Sequence, residues 1–214
     1  MTLAERYEKG ADRWAPTLER LGFPAAYRFL FSRLGLTLHD KGVCDVGTGC
    51  GDFAAALFEV SGQSKSLTLV DPSSTMLQKA RKRLKFAGRL VQSMPVRLDE
   101  LTLQKTHDLV LGAHVLEHLD DPEHGLRHFY DLLKPGGRLV LSVSKPHLCQ
   151  WFIWLRWRHR WYHEDDVCDL LQRAGFQSIE VHRFPNGVPA RCSHAYSAFR
   201  GVNQDLFSNQ ALES

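Results

Sequence analysis

The sequence lacks several things that would have pointed to specialised classes of protein. It has no uncharged apolar run long enough to cross a bilayer, so no membrane anchor is expected. Its N-terminus, MTLAERYEKGADRW, has no apolar core segment and does not read as a secretory signal. Internal repeats and low-complexity segments are absent. The five cysteines, Cys44, Cys50, Cys149, Cys168 and Cys192, are scattered and never form a C-x-x-C pair. No zinc site and no disulfide framework can be read from them, so no metal is expected and a reducing, cytoplasmic setting is the simplest reading. There is little charge of one sign. The 27 Lys and Arg against 24 Asp and Glu leave +3, too little to argue for nucleic acid. A hydrophobic fraction of 43% in 214 residues is enough for one well-filled core without disulfides, so a single domain is expected over 1–214.

The chain then reads as two textures. Residues 2–35 look helical in two pieces, with Pro16 and Pro24 at start or break positions, and form a helical cap over 1–40. From residue 41 to 202 strands and helices alternate. Strands are expected at Val43–Val46, Ser66–Val70, Leu90–Val91, Asp108–Leu111, Arg138–Val143, Ser178–Arg183 and Ala195–Arg200. Helices are expected at Asp52–Val60, Ser73–Leu84, Pro122–Leu133 and Asp165–Ala174, with Lys134-Pro-Gly-Gly as a helix stop and turn. Such alternation implies an α/β fold with a doubly wound, mostly parallel sheet. Only a loop, Phe184–His194, separates the last two strands, so that pair should be antiparallel.

The most informative segment is Val43-Cys-Asp-Val-Gly-Thr-Gly-Cys-Gly-Asp-Phe. A buried strand runs into Gly47, Gly49 and Gly51 and then into a helix, whose free N–H groups face whatever the loop holds. The spacing is G-x-G-x-G rather than the G-x-G-x-x-G of dinucleotide sites. Asp45 stands two residues before the first glycine, where it would repel a pyrophosphate and suit a cationic ligand. Asp71 ends the next strand and could accept both hydroxyls of a ribose, or cap the following helix, or both.

Asp-Val-Gly-Thr-Gly-Cys-Gly resembles the first motif of class I S-adenosylmethionine-dependent methyltransferases, and Val70-Asp71 the second. Asp108-Leu-Val-Leu-Gly-Ala-His-Val-Leu-Glu-His-Leu, Leu133-Lys-Pro-Gly-Gly-Arg-Leu-Val-Leu-Ser-Val and Leu171-Gln-Arg-Ala-Gly-Phe resemble later segments of the same family, in the same order. The nearest look is that of the small-molecule enzymes grouped with ubiquinone and menaquinone biosynthesis. The resemblance implies a seven-stranded Rossmann-like sheet with an antiparallel last strand, and S-adenosyl-L-methionine as cofactor. It places the methionine part along Asp45, Gly47, Thr48, Gly49 and Gly51, the ribose on Asp71, and the adenine near Pro72, Met76, Ser93 and Met94. At Ser93 the chain departs from the family, which often has an acid there.

His114 follows a strand at the end where open α/β sheets bind ligands, and is a candidate base, substrate contact or packed residue. His147 and His163 are the next candidates, whereas a structural role is expected for Glu117 and His118. Residues 151–162 carry four tryptophans with Arg156, Arg158, His159 and Arg160, which suits a lid over an aromatic or acidic acceptor, core packing, or a membrane contact. Tyr7 and Trp14 could cover the cofactor or belong to the core. The expected reaction is methyl transfer from a sulfonium to an O, N or C nucleophile of a small molecule, mainly by positioning. An Asn/Asp-Pro-Pro-Tyr segment is missing after the fourth strand, where Gly112-Ala-His stands, which argues against DNA bases. An RNA or protein methyltransferase, a non-catalytic cofactor-binding protein and an NAD-dependent dehydrogenase are the other readings.

Overall fold

The computed structural model describes residues 16–146 and 160–202. Tyr7, Trp14, His147, Cys149 and residues 151–159 of the aromatic-basic stretch lie outside the described residues. The described elements are α1 (Phe23–Leu34), β1 (Gly42–Val46), α2 (Asp52–Ser61), β2 (Ser64–Val70), α3 (Ser74–Arg83), β3 (Gly88–Met94), β4 (His107–Ala113), α4 (Pro122–Leu132), β5 (Leu133–Ser144), α5 (Glu164–Arg173), β6 (Phe176–His182), α6 (Gly187–Cys192) and β7 (Ser193–Arg200). Single 3-10 turns lie at Leu98–Glu100 and Leu116–His118.

The strands form one seven-stranded sheet in the order β3-β2-β1-β4-β5-β7-β6. All neighbours are parallel except β7, which runs antiparallel to both β5 and β6. Helical crossovers join the parallel strands, as parallel pairing requires, whereas β6 and β7 are joined by a short connection. The winding reverses between β1 and β4, which are hydrogen-bonded neighbours. Crevices at such reversals lie outside the carboxyl ends of the strands, and that is where open sheets bind ligands.

Both faces of the sheet are covered, so β1 is buried along its whole length. Period-2 alternation sends Val43 into the core shared with α1, α2 and α3, and Cys44 and Val46 into the core shared with α4 and α5. In the first core, Tyr27 and Phe31 of α1 meet Phe53 of α2 with ring centroids 4.7 and 4.9 Å apart. The cap is therefore held by aromatic packing onto the helix that follows the glycine loop. In the second core, Phe129, Leu132 and Leu171 are all fully buried beneath β4 and β5.

Several sequence expectations shift. β3 is seven residues long rather than two, and its edge position leaves Leu90 exposed, which hid its hydrophobic signal. Lys134-Pro-Gly-Gly stops the helix but belongs to the start of β5, where Gly136 has φ +75° and the register with β4 shifts between His107 and Leu109. The connection Phe184–His194 contains the short helix α6. Ser73, not Asp71, is the N-cap of α3, its side chain accepting from the Met76 N–H. Among the described residues no helix is long and apolar enough to cross a membrane.

Phe31 is fully buried and does not line the cavity described below. Phe31→Ala should lower stability by about 3–5 kcal/mol, read as an earlier urea midpoint with an unchanged slope.

Candidate functional site

A cavity of about 440 Å³ opens at the carboxyl ends of β1, β2 and β4. Of the residues singled out from the sequence, Asp45, Gly47, Thr48, Gly49, Asp71, Pro72, Met76 and His114 line it. Gly51, Ser93 and Met94 do not. Further walls come from residues whose individual motifs were silent, Leu18 and Tyr27 of the helical cap, Phe53 of α2, Val96–Asp99 after β3, and Val115 and Leu119 after β4, and from His118, for which the sequence suggested a structural role.

The loop 47–51 owes its shape to three left-handed residues, with φ of +62°, +52° and +81° at Gly47, Gly49 and Gly51. The Thr48 N–H donates to the Val70 carbonyl at 3.0 Å, and the Gly51 N–H to the Thr48 carbonyl at 2.8 Å. A Cβ at Gly47 would come within 2.5 Å of the Val115 side chain, and one at Gly51 within 2.9 Å of Leu84. A Cβ at Gly49 would meet nothing within 4 Å. Gly47 and Gly51 are thus closely packed against Val115 and Leu84, whereas a side chain at Gly49, which lines the cavity, would meet no neighbour.

Asp45 is only 1% exposed, and Thr48 Oγ1 donates to its carboxylate at 2.6 Å. Burial is the main cause that pushes its carboxyl up to about 7, and the nearby carboxylates Asp71 and Asp52 push the same way. Asp52 pairs with Arg83. Asp71 accepts from the Gly49 N–H and the Ser73 N–H, each at 2.9 Å, so it ties the glycine loop to the start of α3. Its carboxyl is also raised, first by burial, against those two hydrogen bonds. Asp45 and Asp71 are buried acids in the cavity wall, which suits a positively charged group at that end better than a phosphate; Arg97 lines the cavity too and pairs with Asp99.

Opposite this wall, His114 holds φ +56°, a conformation few non-glycine residues adopt. Its Nδ1 lies 3.1 Å from Glu117 Oε1 and 3.0 Å from Ser144 Oγ. Glu117 Oε1 also accepts from the Ser144 N–H at 2.6 Å. Burial pushes the Glu117 carboxyl up, but the His114 hydrogen bond and charge with the Ser144 N–H outweigh it and hold it at about 2. His114 Nε2 is buried and has no hydrogen-bond partner. The tail of the aromatic-basic stretch is anchored here. Arg160 N–H donates to the Glu117 carbonyl at 3.4 Å and Tyr162 Oη to the Leu116 carbonyl at 3.3 Å. Trp161 is exposed and Tyr162 is core. His163 is exposed, outside the cavity, and its N–H is held by Asp166. Among the described residues no group of three His, Cys, Asp or Glu side chains could hold a metal ion.

A family model for the methyltransferase domain matches residues 10–181. The chain belongs to this family. It is a class I S-adenosylmethionine-dependent methyltransferase domain, and its sheet order and antiparallel last strand are those of that fold. It is 33% identical over 193 residues to the ubiquinone/menaquinone biosynthesis C-methyltransferase of Haemophilus ducreyi, covering 76% of this chain and 74% of that one. With the enzyme of the same name from Psychromonas ingrahamii it is 35% identical over 123 residues, covering 56% of this chain and 49% of the relative. The chain thus spans about half the length of several curated relatives it matches and about three quarters of others. Its fold is shared with magnesium protoporphyrin IX methyltransferase of Synechocystis, solved with S-adenosylhomocysteine (TM-score 0.71, 21% identity, 90% of this chain and 94% of that one). It is shared equally with 1,6-didemethyltoxoflavin-N1-methyltransferase of Burkholderia thailandensis (TM-score 0.71, 20% identity, 93% and 87%).

The two glycines should separate packing from binding. Gly47→Ala puts a Cβ against Val115 in a left-handed residue and should cost about 2–4 kcal/mol in urea unfolding. Gly49→Ala adds a methyl to open space and should cost only about 1–2 kcal/mol, while abolishing occupancy of the cavity by S-adenosylhomocysteine.

Proposed function

We propose that this methyltransferase domain transfers the methyl group of S-adenosylmethionine to a small-molecule acceptor within a reducing, cytoplasmic compartment. The observation that carries the reading is the pairing of a buried, unneutralised Asp45 with a floor that only Gly49 leaves open. Asp45, Gly47, Thr48 and Gly49 would hold the aminocarboxyl-propyl arm, with Asp45 facing the cationic end. Asp71 has lone pairs beyond the two used by Gly49 and Ser73, and these suit the two ribose hydroxyls. Pro72, Met76 and Leu98 would flank the adenine. Gly51 acts from beneath the cavity by setting the loop. Ser93 and Met94 are not among the residues that line the cavity.

The bound donor supplies an already activated methyl group, so the chain's share is positioning and exclusion of water. Tyr27, Phe53 and Leu18 roof the cavity with apolar surface, and burial keeps the Tyr27 phenol neutral by pushing its pKa up. The acceptor that fits between these rings and His114 is a small planar molecule. The similarity to C-methyltransferases of quinone biosynthesis supports an aromatic one.

Calorimetric titration tests the reading. S-adenosylhomocysteine should bind and NAD should not; the reverse would overturn it. The linkage sign follows from Asp45, whose folded-state carboxyl is raised above the unfolded value. Its neutral form persists up to about pH 7 in the unliganded protein, and unliganded stability declines as pH rises from the ordinary carboxyl range to that value. A cationic ligand needs the ionised form, so affinity should rise with pH towards about 7, with proton release on binding at pH 6. Titrations in buffers of different ionisation enthalpy read that proton, and Asp45→Asn should remove it.

Asp71→Ala should weaken S-adenosylhomocysteine on the order of tenfold or more, since hydrogen bonds to charged groups contribute roughly 1.5–3 kcal/mol each. Stability should fall too, by about 1–3 kcal/mol, because the variant leaves the Gly49 and Ser73 N–H groups without their acceptor. An unchanged dissociation constant would remove Asp71 from the site.

A further inference from the structure

We propose that the pole of the molecule opposite the cavity, formed where the parallel strands begin, docks on an anionic phospholipid surface.

Charge is unevenly placed along the chain. From 72 to 98 it carries seven Lys and Arg and no Asp or Glu, although the whole protein nets only +3. The fold then adds cations from distant parts of the sequence. The strands β3, β2, β1, β4 and β5 are neighbours in that order and parallel, so they all begin at one pole. Each has a cation within two residues of its first residue: Arg89 in β3, Lys65 in β2, Lys41 before β1, Lys105 before β4 and Lys134 in β5. Neighbouring strands lie about 4.8 Å apart, so these positions form a row roughly 19 Å long. The turn from α3 into β3 brings Lys85 to the same pole.

These cations are available. Lys41, Lys65, Lys85, Arg89 and Lys105 are exposed, and Lys134 is half-buried. The carboxylates at this pole are already engaged: Asp40 with His39, Asp108 with Lys134 and Lys41, Asp131 with Arg200, and Glu59 with Arg28. Among the described residues no carboxylate stands within 4.0 Å of Lys65, Lys85, Arg89 or Lys105. The local field is positive. The Asp40 carboxyl is held below its ordinary value by the His39 hydrogen bond and by the charges of His39, Arg89 and Lys65.

Apolar side chains bracket the row. Phe86 and Val202, 70% and 59% exposed, are the most exposed large apolar residues among those described. Phe86 lies in the turn before β3, with Lys85 Nζ 4.7 Å from its ring centroid. Val202 follows β7, which ends against the start of β5, and it lies beside Gly136. One exposed apolar residue is ordinary on a protein surface. Two of them at the ends of a row of cations have the composition of an interfacial contact. The apolar tips reach below the headgroups while the ammonium and guanidinium groups stay level with the phosphates.

A single-stranded nucleic acid would ask for something else. Its bases stack on successive aromatic faces. At this pole Phe86 is the one largely exposed ring among the described residues, and Lys85 sits over it. The opposite pole carries the cavity, lined by Asp45, Asp52, Asp71 and Asp99 against Arg97. That acidic end turns away from an anionic surface. Docking therefore leaves the cavity mouth open to water, and ligands enter and leave it from the aqueous side.

Sedimentation with vesicles tests the proposal on the full chain. At about 100 mM salt the protein should pellet with vesicles holding about 30% phosphatidylglycerol in phosphatidylcholine. It should stay in solution with phosphatidylcholine alone, and about 0.5 M salt should release it. Lys65→Gln with Arg89→Gln should lower the partition coefficient about 20-fold, since each cation near an anionic surface contributes about a fivefold factor. Phe86→Ala should lower it about threefold or more. The urea midpoints of these variants should match wild type, because the altered side chains are exposed. Arg183→Gln with Arg191→Gln removes the same charge at the cavity pole, where β6 ends and α6 leads into β7, and should change partition less than about twofold. A fluorescent oligouridylate of about 20 nucleotides should show no anisotropy change at the same salt. No pelleting with the anionic vesicles, equal losses in the two double variants, or binding of the oligouridylate at that salt each overturns the proposal.

Discussion

The burial of one carboxylate, that of Asp45, at the carboxyl end of the central strand β1 constrains everything around it. A charge in that position needs donors or a cation, and among the described residues the Thr48 hydroxyl donates to it. Reaching that hydroxyl requires the chain to turn back within three residues, which the left-handed Gly47 makes possible. The turn then delivers the start of α2 beside the acid. Asp52, the first residue of that helix, would have added a third negative charge there, and its pairing with Arg83 removes most of that burden. Of the acids lining the cavity, Asp52 pairs with Arg83 and Asp99 with Arg97, whereas Asp45 and Asp71 are met by hydroxyl and backbone donors. Ligand chemistry and local fold are therefore set by one desolvated group.

Topology decides which side chains can face that acid. Because the winding reverses between β1 and β4, the chain after β4 returns across the mouth of the same crevice that the glycine loop opens. His114 comes from there, and Val115 packs against Gly47, so the two walls are in contact and cannot be altered separately. The helix α1 closes the third side through Tyr27, whose ring packs on Phe53 of α2. Positioning thus runs from core packing to the site without a dedicated lid among the described residues.

Much of this was legible in the sequence. Asp45, the glycines and Asp71 stood at spacings that only a strand–loop–helix unit explains, and the alternation of strands and helices announced a mostly parallel sheet. What was hidden had physical reasons. β3 is an edge strand with an exposed face, so it carries little hydrophobic periodicity. Tyr27 and Leu18 read as ordinary helical stripe residues, since a side chain lining a cavity and one lining a core follow the same spacing. Ser93 was expected near the adenine from motif position, and the lining on that side comes from Val96–Asp99, which follow it in the chain. Glu117 looked structural from its setting in the sequence. Its partnership with His114 depends on a positive φ that no sequence pattern shows.

The hydrogen bond from the Gly49 N–H to Asp71 has a kinetic consequence. It joins the loop that would grip one end of an adenosyl ligand to the acid that would grip the other, and it is made entirely between protein atoms. The loop therefore has no ordering step left to perform on arrival of the ligand. Association should proceed at the pace of encounter, and closely related ligands should differ in how long they stay rather than in how fast they enter. Residence time would then be the quantity through which the exchange of spent donor for fresh donor is governed.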